Sequence, residues 1–223
     1  MDNIDNIDKM ITIIDYGLGN LRSVQKAFER LNVKAIISND EKEIADAEKL
    51  VLPGVGHFAK GMHHLKELKL LDILNAKVLL DKTPILGICL GMQLMTEFSE
   101  EGNCAGLGWI EAKTTRFNFN GNRTGRDLKI PHMGWNDIRF VKNTPLQNEF
   151  ETISSFYFVH SYYVNCKDEN DRLTRTEYGI EFDSGFQREN ITGVQFHPEK
   201  SHAAGLKLLK NFIHSEVPCT DLV

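Results

Sequence analysis

The amino-acid sequence predicts an α/β fold, an open, mostly parallel sheet with helices on both faces and an antiparallel extension. Three observations carry this. Apolar runs of strand length alternate with helical spacing as far as residue 98. One run, Pro84-Ile85-Leu86-Gly87-Ile88, is continuously apolar, as strands buried on both faces are. After residue 105 the texture changes to successive strand-like runs separated by turns, with few helical stretches.

The elements follow in order. Residues 10–14 form a first strand, ended by the turn Asp15-Tyr16-Gly17-Leu18-Gly19-Asn20. Leu21, Val24, Phe28 and Leu31 then recur at helical spacing. Residues 34–37 and 49–52 are further strands, the latter stopped by Pro53-Gly54, and a long amphipathic stretch runs from 58 to about 80. The strand ending at Ile88 feeds Cys89 and a helix expected from 91 to about 98. Strands are expected at 107–119, 135–141, 155–164, 173–182, 185–188 and 192–196, before a closing helix at 203–213. The β-α alternation implies right-handed crossovers in one parallel-centred sheet. One domain is expected over 10–214, with an N-terminal extension at 1–9 and a tail at 215–223.

Composition narrows the function. Hydrophobic residues at 41% and charged residues at 26% suit a soluble globular domain. A net charge of −5, with no dense run of Lys and Arg, argues against general nucleic-acid binding. Cys89, Cys104, Cys166 and Cys219 form no CxxC pair and suggest free thiols in a reducing compartment. The start MDNIDNIDK reads as neither signal nor transit peptide, and no apolar run has bilayer length. A cytoplasmic location is expected.

Gly87-Ile88-Cys89-Leu90-Gly91 has the form of a nucleophile elbow at a strand–helix junction. Such a turn holds the reactive residue in a strained conformation, and the glycines let backbone pass close by. A following helix start favours thiolate, and the Leu90 N–H is placed to donate to an oxyanion. Alone, the segment is equally compatible with a buried cysteine between packing glycines. Cys104, Cys166 and Cys219 lack any such setting and read as structural.

A cysteine nucleophile needs a base and a group that orients it. Phe196-His197-Pro198-Glu199 follows a hydrophobic strand, so His197 and Glu199 would sit at the carboxyl edge of the sheet. Alone, this could be a surface turn that contains a histidine. Gln93 stands four residues beyond Cys89, on the same helix face.

Elbow and HPE turn, in this order and about a hundred residues apart, resemble the class I glutamine amidotransferases. The likeness runs from residue 11 to about 213 and covers six motifs. These are Asp15-Tyr16-Gly17-Leu18-Gly19-Asn20, Pro53-Gly54-Val55-Gly56, Gly87-Ile88-Cys89-Leu90-Gly91-Met92-Gln93, Met133-Gly134-Trp135-Asn136, Val159-His160-Ser161-Tyr162-Tyr163 and His197-Pro198-Glu199-Lys200-Ser201. Within the family they resemble the glutaminase subunits that serve a synthase of histidine biosynthesis.

The resemblance implies a flavodoxin-like sheet, Cys89, His197 and Glu199 as a catalytic triad, and Val55 and Leu90 as oxyanion-hole donors. It implies that Gly56, Gln93, Glu101, Ser161 and Tyr162 hold glutamine, partly through main-chain groups. It assigns Asn20, Trp135, Tyr157 and Lys200 to the face of a (β/α)8-barrel synthase (cyclase) subunit, in a heterodimer. No metal and no cofactor are implied. A glutaminase for another pathway, such as pyridoxal phosphate synthase, is the nearest alternative, and a catalytically silent regulatory subunit is a second. The motifs around Trp135 and Lys200 count against the first, the intact triad against the second.

Two features are set aside. Gly17-x-Gly19 lacks the third glycine of a dinucleotide loop, since Arg22 stands there. His57, His63 and His64 lack metal-ligand spacing and read as exposed helix residues.

Overall fold

The computed structural model describes residues 10–119, 128–151 and 153–215. The extension at 1–9, Cys219 and most of the tail lie outside the described residues. Five strands make the parallel half: β1 (Ile11–Ile14), β2 (Ala35–Ser38), β3 (Lys49–Gly54), β4 (Ile85–Cys89) and β13 (Ile191–Val194). Their order across the sheet is β2-β1-β3-β4-β13, with β3 and β13 both parallel to β4.

Alternation along these strands assigns side chains to the two faces. Ile11 and Ile13 of β1, Val51 of β3, and Leu86 and Ile88 of β4 enter one core with Val24 and Phe28 of α1 (Leu21–Glu29). Leu208, Leu209 and Phe212 of α6 (His202–His214) complete it. Ile14, Leu50, Leu52 and Ile85 enter the opposite core, covered by α2 (Glu41–Ala45), α3 (Phe58–Glu67), α4 (Leu70–Asn75) and α5 (Leu90–Leu94). Each fully buried side chain of this size contributes about 1.5–3 kcal/mol, so burial on both faces holds the sheet between its helical layers. Asp40 caps α2, its carboxylate accepting from Lys42 N and Glu43 N at 3.0 Å each.

The antiparallel extension begins at β12 (Ile180–Arg188), which pairs with β13. Here the sheet forks. One arm continues through β10 (Tyr162–Cys166), β7 (Ile110–Arg116), β5 (Thr96–Ser99) and β6 (Cys104–Ala105). The other runs through β11 (Arg172–Tyr178), β8 (His132–Phe140) and β9 (Ile153–His160).

Several expected boundaries shift. The run 155–164 is two strands, because the chain turns at Ser161 from β9, paired with β8, into β10, paired with β7. The run 173–182 is a hairpin, turned by Gly179 at φ 72°. The helix after the elbow stops at Leu94 instead of about 98, because the Thr96 hydroxyl bonds the Gln93 carbonyl at 2.8 Å and the chain then joins β7 as β5. The stretch 58–80 divides at Lys69, whose φ of 56° separates α3 from α4, and ends in a π-helical turn at Ala76–Leu80.

Candidate active site

Cys89 closes β4 and precedes α5, with φ 55° and ψ −109°. A non-glycine residue held there stores roughly 1–3 kcal/mol of strain, which its surroundings must over-determine. They do so through contact with two glycines. A Cβ on Gly91 would lie 1.7 Å from the Leu52 carbonyl oxygen, and one on Gly87 2.8 Å from Met92 N. Helix α5 therefore rests directly on the backbone of β3, with the thiol at its head.

Beyond β13 the chain passes Gln195 and Phe196 to His197 and a 3-10 turn, Pro198–Lys200. Two bonds fasten this turn to β9 and a third braces the turn itself. His197 N donates to the Tyr157 carbonyl at 2.9 Å, Tyr157 N to Ser201 Oγ at 3.0 Å, and Ser201 Oγ to the His197 carbonyl at 2.6 Å. His197 Nδ1 donates to Glu199 Oε1 at 2.7 Å, and both side chains are 2% exposed. That bond fixes the tautomer and leaves Nε2, which is buried without a hydrogen-bond partner. Burial alone would lower the imidazole pKa. The charge on Cys89 and the hydrogen-bonded Glu199 carboxylate outweigh it and raise the pKa to about 10. In this resting pose the sulfur lies 3.9 Å from the Val159 carbonyl and 3.6 Å from Gln195 Nε2. Thiol and imidazole are thus neighbours that have not yet formed their bond, a common state of unliganded sites.

A cavity of about 410 Å³ opens on Cys89. Val55, Gly56, Leu90, Gln93, Glu101, Ser161 and Tyr162 all line it. Gln93 Nε2 donates to the Tyr162 carbonyl at 3.1 Å and to Gln195 Oε1 at 2.9 Å. Glu101 Oε2 accepts from Phe58 N at 2.7 Å and so also caps α3. Below the loop after β3, the Tyr16 hydroxyl is buried, lacks a partner and lies 2.1 Å from where a Gly54 Cβ would be. Burial, with the charge on Cys89, pushes that phenol far above its ordinary range. Gly56 has φ 113° and open space around its Cα. A larger concavity of about 770 Å³, beside His132, Trp135 and Asn136, holds no cysteine. The smaller one, which holds Cys89, is the candidate active site.

Trp135, Tyr157 and Lys200 form one surface. Trp135 is 50% exposed and stacks on His202 with ring centroids 5.2 Å apart. The Tyr157 ring lies 6.3 Å from it, and Lys200 Nζ stands 5.8 Å over that ring. Asn20 is exposed just before α1 and lines a separate hollow, although the adjoining Gly19 abuts the Pro53 carbonyl. His64 differs from its expected exposed position, since its Nδ1 meets the Tyr16 carbonyl at 2.9 Å.

Sequence reasoning missed Gln195, Pro131, Val159 and His160. Period-two alternation back from His197 would have placed Gln195 on the same face of the chain. His160 sits inside a quoted motif without an assigned role. Nothing in sequence marks Pro131.

Fold and family together define a glutamine amidotransferase. The family model for class I glutamine amidotransferases matches residues 12–215. A solved glutamine amidotransferase superposes with TM-score 0.68 at 18% identity, covering 91% of this chain and 96% of that one. Another, from Thermotoga maritima, gives 0.61 at 17%, covering 93% and 99%. At these identities the likeness concerns the fold. In sequence, the chain is 55% identical over 205 residues to imidazole glycerol phosphate synthase subunit HisH 2 of Methanococcus maripaludis, covering 92% of this chain and 98% of the relative. It is 49% identical to subunit HisH 1 of Campylobacter jejuni (92% and 99% covered) and 44% to subunit HisH 2 of Pseudomonas aeruginosa (92% and 98%). The chain belongs to the class I glutamine amidotransferases and, within them, to the family of imidazole glycerol phosphate synthase HisH subunits.

Proposed function

We propose that this chain hydrolyses glutamine to glutamate and ammonia and passes the ammonia to a synthase subunit in histidine biosynthesis. The observation that carries the chemistry is the His197–Glu199 bond at 2.7 Å, which leaves Nε2 as the only imidazole nitrogen for Cys89. Cys89 Sγ attacks the side-chain amide carbon of glutamine while His197 Nε2 holds the thiol proton. The oxyanion is received by the Leu90 N–H and, once the loop after β3 is aligned, by the Val55 N–H. His197 hands its proton to the departing nitrogen, ammonia leaves, and a glutamyl thioester remains. Water, deprotonated by His197, cleaves the thioester to glutamate and restores the thiol. Glu199 keeps the imidazole oriented and supports its positive charge.

Gly56, Gln93, Glu101, Ser161 and Tyr162 hold the substrate. Both N–H bonds of Gln93 point into the protein, so its Oε1 is the group it offers the cavity. Glu101, anchored on α3, offers negative charge for the substrate ammonium. Residues 10–214 form the catalytic domain, between an extension at 1–9 and a tail at 215–223.

Free ammonia at neutral pH is mostly ammonium, so an acceptor must lie nearby. Trp135, Tyr157, Lys200 and Asn20 form the docking face for a (β/α)8-barrel synthase (cyclase) subunit, in a heterodimer. That subunit joins the nitrogen to a phosphorylated aminoimidazole carboxamide nucleotide, yielding imidazole glycerol phosphate and aminoimidazole carboxamide ribonucleotide. No described helix is long and apolar enough to cross a membrane, and free thiols suit the cytoplasm, where we place the complex.

Glutaminase activity is low in the isolated chain on the reading that the loop ending at Gly56, φ 113°, turns the Val55 N–H towards the oxyanion only when the partner docks. Losing one such donor costs roughly 10²–10³ in rate. Docking of the loaded partner shifts the loop to its active state. The test is glutamate release by the chain alone and with the barrel subunit plus its nucleotide. A large rise, abolished by Cys89→Ala, is expected; equal rates would overturn the coupling.

A further inference from the structure

The Tyr162 carbonyl sets the direction of a hydrogen-bond chain that ends on the nucleophile. A carbonyl oxygen only accepts, so Gln93 must present its Nε2 there, at 3.1 Å. The second N–H of the same amide points to Gln195 at 2.9 Å, which therefore presents Oε1. Gln195 is then left with its own Nε2 facing Cys89 Sγ at 3.6 Å. The opposite amide orientation would set donor against donor at Gln93. Gln195 is fully buried, so water cannot take over any of these bonds.

We propose that Gln195 is a further catalytic residue for this reaction, its side-chain amide donating to the Cys89 sulfur and stabilising it as thiolate. The inference rests on the functional reading above and deepens it. The sulfur carries negative charge twice per turnover, before attack and again as the leaving group when water breaks the thioester. A neutral N–H does not compete for the thiol proton, so it supports both states without replacing His197 as the base. Hydrogen bonds to a charged partner are about twice as strong as neutral ones, so the bond tightens as charge develops. Gln93, expected only to hold substrate, gains a second task in orienting Gln195.

The titratable groups around the sulfur are His197 with Glu199, Tyr16, His160, and Glu101 and Tyr162 on the cavity wall. All are unchanged by replacement of Gln195. The experiment is alkylation of Cys89 by iodoacetamide in the full chain, followed by mass spectrometry with half-buried Cys104 as internal reference. Gln195→Met and Gln195→Leu both remove the donor without adding a charge, and Met also keeps the length. Both should lower the Cys89 to Cys104 rate ratio at pH 7 by about tenfold, with a smaller loss at higher pH, where the thiolate forms unaided. An unchanged ratio in either folded variant overturns the proposal. Should both variants fail to fold, the wild-type chain supplies the reading through its Gln195 side-chain amide NMR signals. Those signals must move when Cys89 is alkylated, and a silent Gln195 amide overturns the proposal. Alkylation needs neither glutamine nor partner, so a failure here is separate from failure of glutamine hydrolysis with the loaded partner.

Discussion

His132 donates a hydrogen bond from Nδ1 to Nε2 of His160 at 2.9 Å, and the direction of that bond is fixed from outside the pair. His160 Nδ1 must donate to the Tyr162 carbonyl, 2.7 Å away, which leaves its Nε2 as acceptor. His132 Nε2 in turn accepts from Asn136 Nδ2 at 3.2 Å. Each imidazole therefore carries one proton and is neutral.

This pair predicts acid sensitivity. Burial lowers the pKa of His132 to about 4. Burial lowers that of His160 to about 3, against the opposing bond to Tyr162 and with the charges of His132 and His197 adding to the fall. Because both folded values lie below the ordinary 6.5, the unfolded chain binds more protons in this window. The stability contribution is complete above pH 6.5 and is lost as pH falls towards 4 and 3. His132→Phe keeps a ring between Phe158 and Tyr178 but removes the donor. It should cost about 1–3 kcal/mol at pH 7 and flatten the decline between pH 6.5 and 4. Urea unfolding at pH 7 and pH 5 measures both, and an unflattened slope would contradict the neutral pair.

His197 behaves in the opposite sense. Its pKa is raised, so its protonated form stabilises the fold fully below pH 6.5, and that contribution is lost as pH rises through about 10. Cys89→Ala removes the largest raising influence. NMR titration should find the imidazole pKa clearly lower in that variant, with glutamine hydrolysis down by at least about 10³-fold. An unmoved titration would show that Glu199 alone sets the base.

Glu199→Gln keeps the shape of the turn and removes the charge that holds the imidazole. A drop in kcat of about 10²–10⁴ is expected in the partner-activated assay, with a smaller change in KM. A change confined to KM would move Glu199 out of the catalytic group.

Gly91→Ala should prevent the elbow from forming, since the new methyl would occupy the Leu52 carbonyl oxygen. Destabilisation of more than about 3 kcal/mol is expected, beyond ordinary overpacking, because the clash is with backbone. Soluble yield and urea midpoint report it; a native midpoint would mean that α5 is free to shift.

Trp135→Ala should weaken association with the proposed synthase subunit by about 30-fold, the loss of one exposed aromatic anchor. Calorimetric titration of the two subunits measures this, and an unchanged affinity would place the docking face elsewhere.

The parts of this molecule that sequence revealed are those where local pattern and chemistry coincide. The run before Cys89, the glycines around it and the His197-Pro198-Glu199 turn are contiguous, and each is constrained by its immediate neighbours. Hidden parts depend on where distant segments meet. Residues 155–164 read as one strand because the alternation continues through Ser161, although pairing with two different partners splits them. Thr96 reads as helix until its hydroxyl is seen to close α5. Gln195 and His160 are ordinary polar residues in sequence, and only the Tyr162 carbonyl, brought beside Gln93 by the fork in the sheet, gives their hydrogen bonds direction.

The sheet order β3-β4-β13 sets Cys89 between one strand that precedes it and another that follows about a hundred residues later. A ribosome that has just added Cys89 has still to make β13, Gln195, His197 and Glu199. For about half of its length the growing chain thus carries Cys89 without the partners proposed for it, which arrive only with β13 and the turn that follows. A copy truncated before β13 therefore keeps Cys89 but lacks Gln195, His197 and Glu199, the three groups proposed to act on its sulfur.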